Sequence, residues 1–130
     1  MAILVAYDGS ENAKKAVERA TALRKEGEEI VILYVIPEAE QEGFRTLPPE
    51  VPSSKGQEIV NEAIERLKGM SVPAIGVLRR GNVAGEIIAF ASELKCSYVV
   101  IGSRSTGRGD VGSVAERVVK QSDRPVMIVR

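Results

Sequence analysis

Five short apolar runs recur along this chain, each separated from the next by a stretch with helical spacing. That alternation limits the possible folds more than any other feature. The runs are Ala2 to Tyr7, Ile30 to Ile36, Ala74 to Leu78, Tyr98 to Ile101 and Val126 to Val129. They are nearly continuous in apolar residues rather than alternating, which suits strands covered on both faces of a parallel sheet. Between them, Ser10 is placed to cap a helix running to about Lys25, with Ala13, Ala16, Val17, Ala20 and Leu23 on one face and Gly27 to end it. A second helix is expected from Ser54 or nearby, with Ile59, Ile64 and Leu67 on its buried side and Val60 and Ala63 beside them. A third spans Val83 to Leu94, and a fourth spans Ser113 to Gln121 with Val114, Val118 and Val119 inward. Strict β-α alternation predicts a doubly wound α/β fold: a five-stranded parallel sheet with right-handed crossovers and helices on both faces. The spatial orders 3-2-1-4-5 and 2-1-3-4-5 both satisfy this pattern.

Composition narrows the function. The 130 residues fit one domain, residues 1–130. Eighteen Lys and Arg balance eighteen Asp and Glu, so no global field recruits nucleic acid or an anionic membrane. No apolar run approaches the roughly 20 residues of a membrane-spanning helix. The start, MAILVAYDGS, lacks a basic n-region and a cleavage site, so a cytoplasmic location is expected. The chain has no histidine, which removes Ser-His-Asp and Cys-His catalysis and the commonest general base. A single cysteine, Cys96, cannot form an intrachain disulfide and reads as a small hydrophobe at a packed junction. With no Trp and few Tyr or Phe, no platform for stacking single-stranded bases is visible. Glu18, Glu26, Glu62, Glu65 and Glu116 are spaced as on solvated helix faces, so neither a catalytic carboxylate pair nor a metal cluster is expected. The long segment from Pro37 to Ser53 is expected to be a mobile crossover without chemistry, a functional lid being the other reading.

Two places carry chemical potential. The first run ends in Tyr7-Asp8-Gly9-Ser10. Ligands of doubly wound sheets bind outside the carboxyl ends of the strands, so Asp8 could accept hydrogen bonds from a sugar hydroxyl or a base amine. Asp, Gly and Ser are equally the residues of a helix start. The fourth run leads directly into Gly102-Ser103-Arg104-Ser105-Thr106-Gly107-Arg108-Gly109-Asp110-Val111-Gly112-Ser113, with a helical pattern after it. Strand, glycine-rich loop and helix start have the layout of an anion cradle, in which glycine lets backbone N–H groups approach phosphate and the helix dipole favours negative charge; a mobile surface loop before a capped helix is the other reading. Ser113 could cap the helix and donate its hydroxyl, and Arg104 and Arg108 could add positive charge at a phosphate. Gly107 to Gly112 spells G-x-G-x-x-G but begins well past the strand, unlike a dinucleotide fingerprint, and no G-x-x-x-x-G-K-[ST] is present.

Taken in order, Asp8-Gly9-Ser10, Gly81-Asn82-Val83-Ala84, Val99 to Arg104, Gly112 to Val118 and Asp123 to Val129 make the chain resemble the universal stress protein family over nearly its whole length. The resemblance implies the order 3-2-1-4-5 and a homodimer paired through the final strand, Val126 to Val129. It also implies an ATP-type site. Gly102, Gly112 and Ser113 match the ends of the family's loop, while Ser105 stands where a second glycine is usual. Only Thr106 to Val111 separate Ser105 from Gly112, which makes the loop three residues shorter than the family pattern. Asp8 matches the acid on the adenine or ribose side, Val35 the adenine side, and Ile101 and Val114 the flanks of the loop. Ala6 stands where many members have proline.

The function this implies is binding of ATP or AMP, with Mg²⁺ or Mn²⁺ bridging phosphate oxygens, in a dimeric stress-response switch. A nucleotide-free dimeric interaction module is the alternative. A slow ATPase, with Asp8 or Asp110 orienting a water, is the second alternative.

Overall fold

The computed structural model describes residues 1–38, 53–103 and 112–130. Its elements alternate as expected: β1 (Ala2–Ala6), α1 (Glu11–Leu23), β2 (Glu29–Pro37), α2 (Ser53–Gly69), β3 (Ala74–Gly81), α3 (Val83–Leu94), β4 (Tyr98–Gly102), α4 (Ser113–Gln121) and β5 (Val126–Val129). The strands form one all-parallel sheet in the order β3-β2-β1-β4-β5. Leu4 lies between Val31 and Val99 in register, so β1 is central. Strand order reverses there. The chain first walks from β1 outward to β3, then crosses back to place β4 on the other side of β1.

Side chains alternate across the strands and fill two cores. Ile3, Val5, Ile30, Ile32 and Val100 meet Ala16, Val17 and Ala20 of α1 and Ala63 and Leu67 of α2. Leu4, Val31, Leu33, Val99 and Ile101 meet Ala84, Ile87 and Ala91 of α3 and Ala115 and Val118 of α4. Both faces of the central strands are buried, which is why their sequences read as continuous apolar runs.

Several details depart from the sequence expectation. Val119 is 46% exposed, because the nine-residue α4 contacts the sheet through Ala115 and Val118. On α2 the buried centre is Val60, Ala63 and Leu67, with Ile59 and Ile64 at its flanks. The cause is Gly76 on β3: a Cβ there would sit 2.3 Å from Val60 Cγ1, so Val60 occupies the space of the missing side chain. Helix α1 ends at Leu23, with Arg24 already extended, and Gly27 takes its positive φ of 85° in the turn beyond. Strand β3 runs on through Arg79 and Arg80 to Gly81. Most of the segment from Pro37 to Ser53 lies outside the described residues. No helix among the described residues is long and apolar enough to cross a membrane.

Candidate functional site

A cavity of about 510 Å³ opens at the carboxyl end of the sheet, at the reversal of strand order between β1 and β4. Both its size and its place are those of ligand clefts in doubly wound folds. Its floor is the strand ends: Ala6 to Asp8, Leu33 to Val35, and Ile101 with Gly102. Val83 and Ile87 of α3 form one wall, and Gly112 to Ala115 at the start of α4 form another. The floor and the α3 wall are mostly apolar, a surface suited to a flat ring.

The turn after β1 fixes Asp8. Its Oδ1 accepts the Ser10 N–H at 2.9 Å, and Gly9 takes a φ of 83° to close the turn. Ser10 then caps α1, its Oγ accepting the Ala13 N–H at 3.2 Å. The helix-start role and the cleft-lining role of Asp8-Gly9-Ser10 therefore coexist in one turn. Upstream, Tyr7 sends its ring into the core under α1 and α2, where its hydroxyl is buried and makes no hydrogen bond among the described residues. Burial first, and then the Glu62 carboxylate, push the Tyr7 phenol above its ordinary range, so it stays protonated at neutral pH.

The start of α4 is built differently. Gly112 is its N-cap residue, with φ 88° and ψ 146°, and as glycine it supplies no side-chain cap. This corrects the expectation that Ser113 caps it: Ser113 is the first helical residue, exposed and on the cavity lining. A φ,ψ pair of that kind is open essentially to glycine alone. Glu116 in the first turn pairs with Lys120 at 2.8 Å on the exposed face. The hydrogen bond from Lys120, and then its charge, hold the Glu116 carboxyl below the usual range.

Of the residues singled out from sequence, Asp8, Val35, Ile101, Gly102, Gly112, Ser113 and Val114 all line this one cavity. Arg104, Ser105 and Arg108 lie outside the described residues. Sequence reading missed Leu33, Tyr34, Pro37, Val83, Ile87 and Ala115 as lining residues. Val83 and Ile87 had a readable signal, since they open the helix that follows Gly81-Asn82. Among the described residues no group of three or more His, Cys, Asp or Glu could hold a metal.

Comparison with known proteins decides the family. The model of the universal stress protein family matches residues 1–130. This chain belongs to that family. A universal stress protein of Bacillus subtilis, YxiE, is 33% identical over 98% of this chain and 97% of its own length. One from Methanocaldococcus jannaschii is 31% identical over 98% of this chain and 81% of its own. Among solved structures, a family member from Arabidopsis thaliana with AMP bound has a TM-score of 0.75 at 18% identity, covering 99% of this chain and 90% of its own. One from Archaeoglobus fulgidus in complex with dAMP has a TM-score of 0.75 at 21% identity, covering 100% of this chain and 98% of its own. At these identities the structural likeness establishes the shared fold, and members of that fold hold adenine nucleotides.

Proposed function

We propose that this chain is a nucleotide-binding universal stress protein whose cleft takes an adenine nucleotide such as ATP or AMP. The observation that carries this reading is the pairing of an apolar floor bearing one fixed carboxylate, Asp8, with a helix start whose N-cap residue, Gly112, has no side chain. The base would lie against Val35 and Ile101, and Asp8 would take the adenine or ribose side. The first N–H groups of α4 and the Ser113 hydroxyl would take phosphate, where the helix dipole favours anions. The AMP- and dAMP-bound relatives support the same ligand class. Mg²⁺ or Mn²⁺ would enter with a di- or triphosphate, on phosphate oxygens.

We also read β5 as the edge through which two copies pair in a nucleotide-responsive dimer. Strand β5 pairs only with β4 in the described sheet, and a shallow depression beside it is lined by Arg19, Leu23 and Met127 to Arg130. Leu23 is 45% exposed there, apolar surface that a second copy would cover.

The test is thermal stability with millimolar ATP or AMP, with and without Mg²⁺. Ligand at about 100 times its Kd adds about 2.7 kcal/mol, a clear rise in Tm. Gly112→Val should abolish the rise while the chain still folds. A rise that survives in Gly112→Val rejects the loop assignment. No rise in the native chain, with dimerisation intact, favours the nucleotide-free interaction module.

A further inference from the structure

Arg117 lies in the second turn of α4 and is exposed. Its Nη1 donates to Asn82 Oδ1 at 3.0 Å, and its Nε donates to Gln121 Oε1 at 3.3 Å. Both partners are neutral amide oxygens. The acids in the first turns of the two helices face other cations. Glu116 pairs with Lys120 at 2.8 Å, and Glu86 of α3 lies 4.0 Å from Arg79.

This is an uncommon place for a cation. The Asn82 oxygen that holds Arg117 also accepts the Gly85 N–H at 2.8 Å and caps α3. The guanidinium is therefore fixed at the helix end where the dipole favours negative charge. It is also near the start of its own helix. Ser113 lies four residues earlier on the same face, and helical side chains lean towards the N-terminus. Asn82 directly precedes Val83, and Val83, Ser113 and Val114 all line the cavity. Arg117 thus stands at the rim of the cleft, where the positive ends of α3 and α4 converge, and adds its own charge to theirs.

Positive potential gathered in this way suits an anion brought in from outside. We propose that Arg117 is a specificity-determining residue that sets the preference of the cleft for the number of phosphates on its nucleotide. Held at the rim by Asn82, its charge attracts the phosphate chain, and each added phosphate gains from it. The base and the sugar, being neutral, gain nothing. The proposal rests on the nucleotide reading of the cleft for its ligand.

The test is calorimetry at low salt with adenosine, AMP and magnesium-free ATP. It compares the native chain with Arg117→Met, which keeps an unbranched stem and removes the charge, and Arg117→Lys, which keeps the charge. Arg117 is exposed, so both variants should fold, and thermal melting checks that they do. In Arg117→Met, adenosine should bind as in the native chain, AMP about 3-fold more weakly and ATP about 10-fold more weakly, as expected of a charge acting through largely aqueous surroundings. Arg117→Lys should restore most of both losses. At about 1 M salt, where the screening length is about 3 Å, the differences should shrink. An equal loss for adenosine and AMP would overturn the proposal, because Arg117 would then only shape the cleft. Arg117→Lys binding no better than Arg117→Met would overturn it too, by removing charge as the cause. Native AMP and ATP binding in Arg117→Met would sink this inference and leave the nucleotide reading standing. A native chain that binds none of the three ligands would overturn both together.

Discussion

Helices α1 and α4 begin at the same cleft and begin in opposite ways. Helix α1 closes its own start. Ser10 accepts the Ala13 N–H, Asp8 accepts the Ser10 N–H, and the first turn lies against Gly102. Helix α3 does the same with Asn82, whose Oδ1 accepts the Gly85 N–H at 2.8 Å. Helix α4 starts on a glycine, which has no side chain to offer. Every helix leaves its first N–H groups without intrahelical partners, and something must satisfy them. Where the chain supplies a cap, the helix start is structural. Where it supplies glycine at a conformation only glycine adopts, the N-cap residue offers no side chain, and the proposed function gives those N–H groups to an anion. The capped starts are part of the frame, and the proposed function assigns the glycine-led start to phosphate.

The most damaging way to break this contrast is at the closed end. In Gly102→Ala the new Cβ meets main-chain atoms of Asn12 at 2.6 Å, and backbone cannot rotate away as a side chain would. The expected loss is about 3 kcal/mol, since overpacking against backbone lies at the top of its usual range. In a domain of this size, calorimetry should show Tm falling by roughly 10 °C. At the open end, Gly112→Val forces a β-branched residue to φ 88° and should cost about 2 kcal/mol. Urea unfolding measures that cost. A loss at Gly112 larger than at Gly102 would reverse the assignment of frame and open end.

Most of the frame was legible in the sequence, and the reasons differ by element. The bounds of α3, α4 and β5 coincide with their hydrophobic patterns. Strand order was not readable, because five runs of similar apolar character do not say which of them lie side by side. The family resemblance supplied that order. The misplacements on α2 and α4 share a cause: pattern reading ranks side chains by size, whereas packing ranks them by available space. Val60 is central because Gly76 leaves room for it, and Val119 stays outside because Ala115 and Val118 already meet the sheet. At the site, glycine and acid at strand ends stand out locally. A long-range contact such as that of Asn12 with the Ser103 carbonyl does not, because the two residues are 91 apart in the chain and only the neighbouring of β1 and β4 brings them together.

A gentler test removes one cap at a time. Ser10→Ala deletes the acceptor for the Ala13 N–H and should cost about 1 kcal/mol in chemical unfolding. Asn82→Ala should cost a similar amount, about 1 kcal/mol, and also removes the acceptor for Arg117 Nη1 at 3.0 Å. The two losses should add, because the caps sit on different helices, Ser10 holding the Ala13 N–H of α1 and Asn82 the Gly85 N–H of α3. Strong coupling between them would mean that α1 and α3 close as one unit.

The smallest stability effect is expected at Ser113, and it sharpens the contrast most. A serine that capped α4 would cost about 1 kcal/mol on truncation, as at Ser10. Ser113 instead lies inside the helix as its first residue, exposed and beside the cavity. Ser113→Ala should therefore change stability by less than about 0.5 kcal/mol, as surface substitutions do. Its hydroxyl has a function only if phosphate is there to accept from it, so AMP affinity should fall by about 5- to 10-fold in the same variant. Paired unfolding and calorimetry on Ser113→Ala and Ser10→Ala separate the two helix starts directly. Ser10→Ala loses stability, and Ser113→Ala loses ligand. If Ser113→Ala lost stability and kept its affinity, the start of α4 would be as closed as the start of α1, and the anion would have to bind elsewhere.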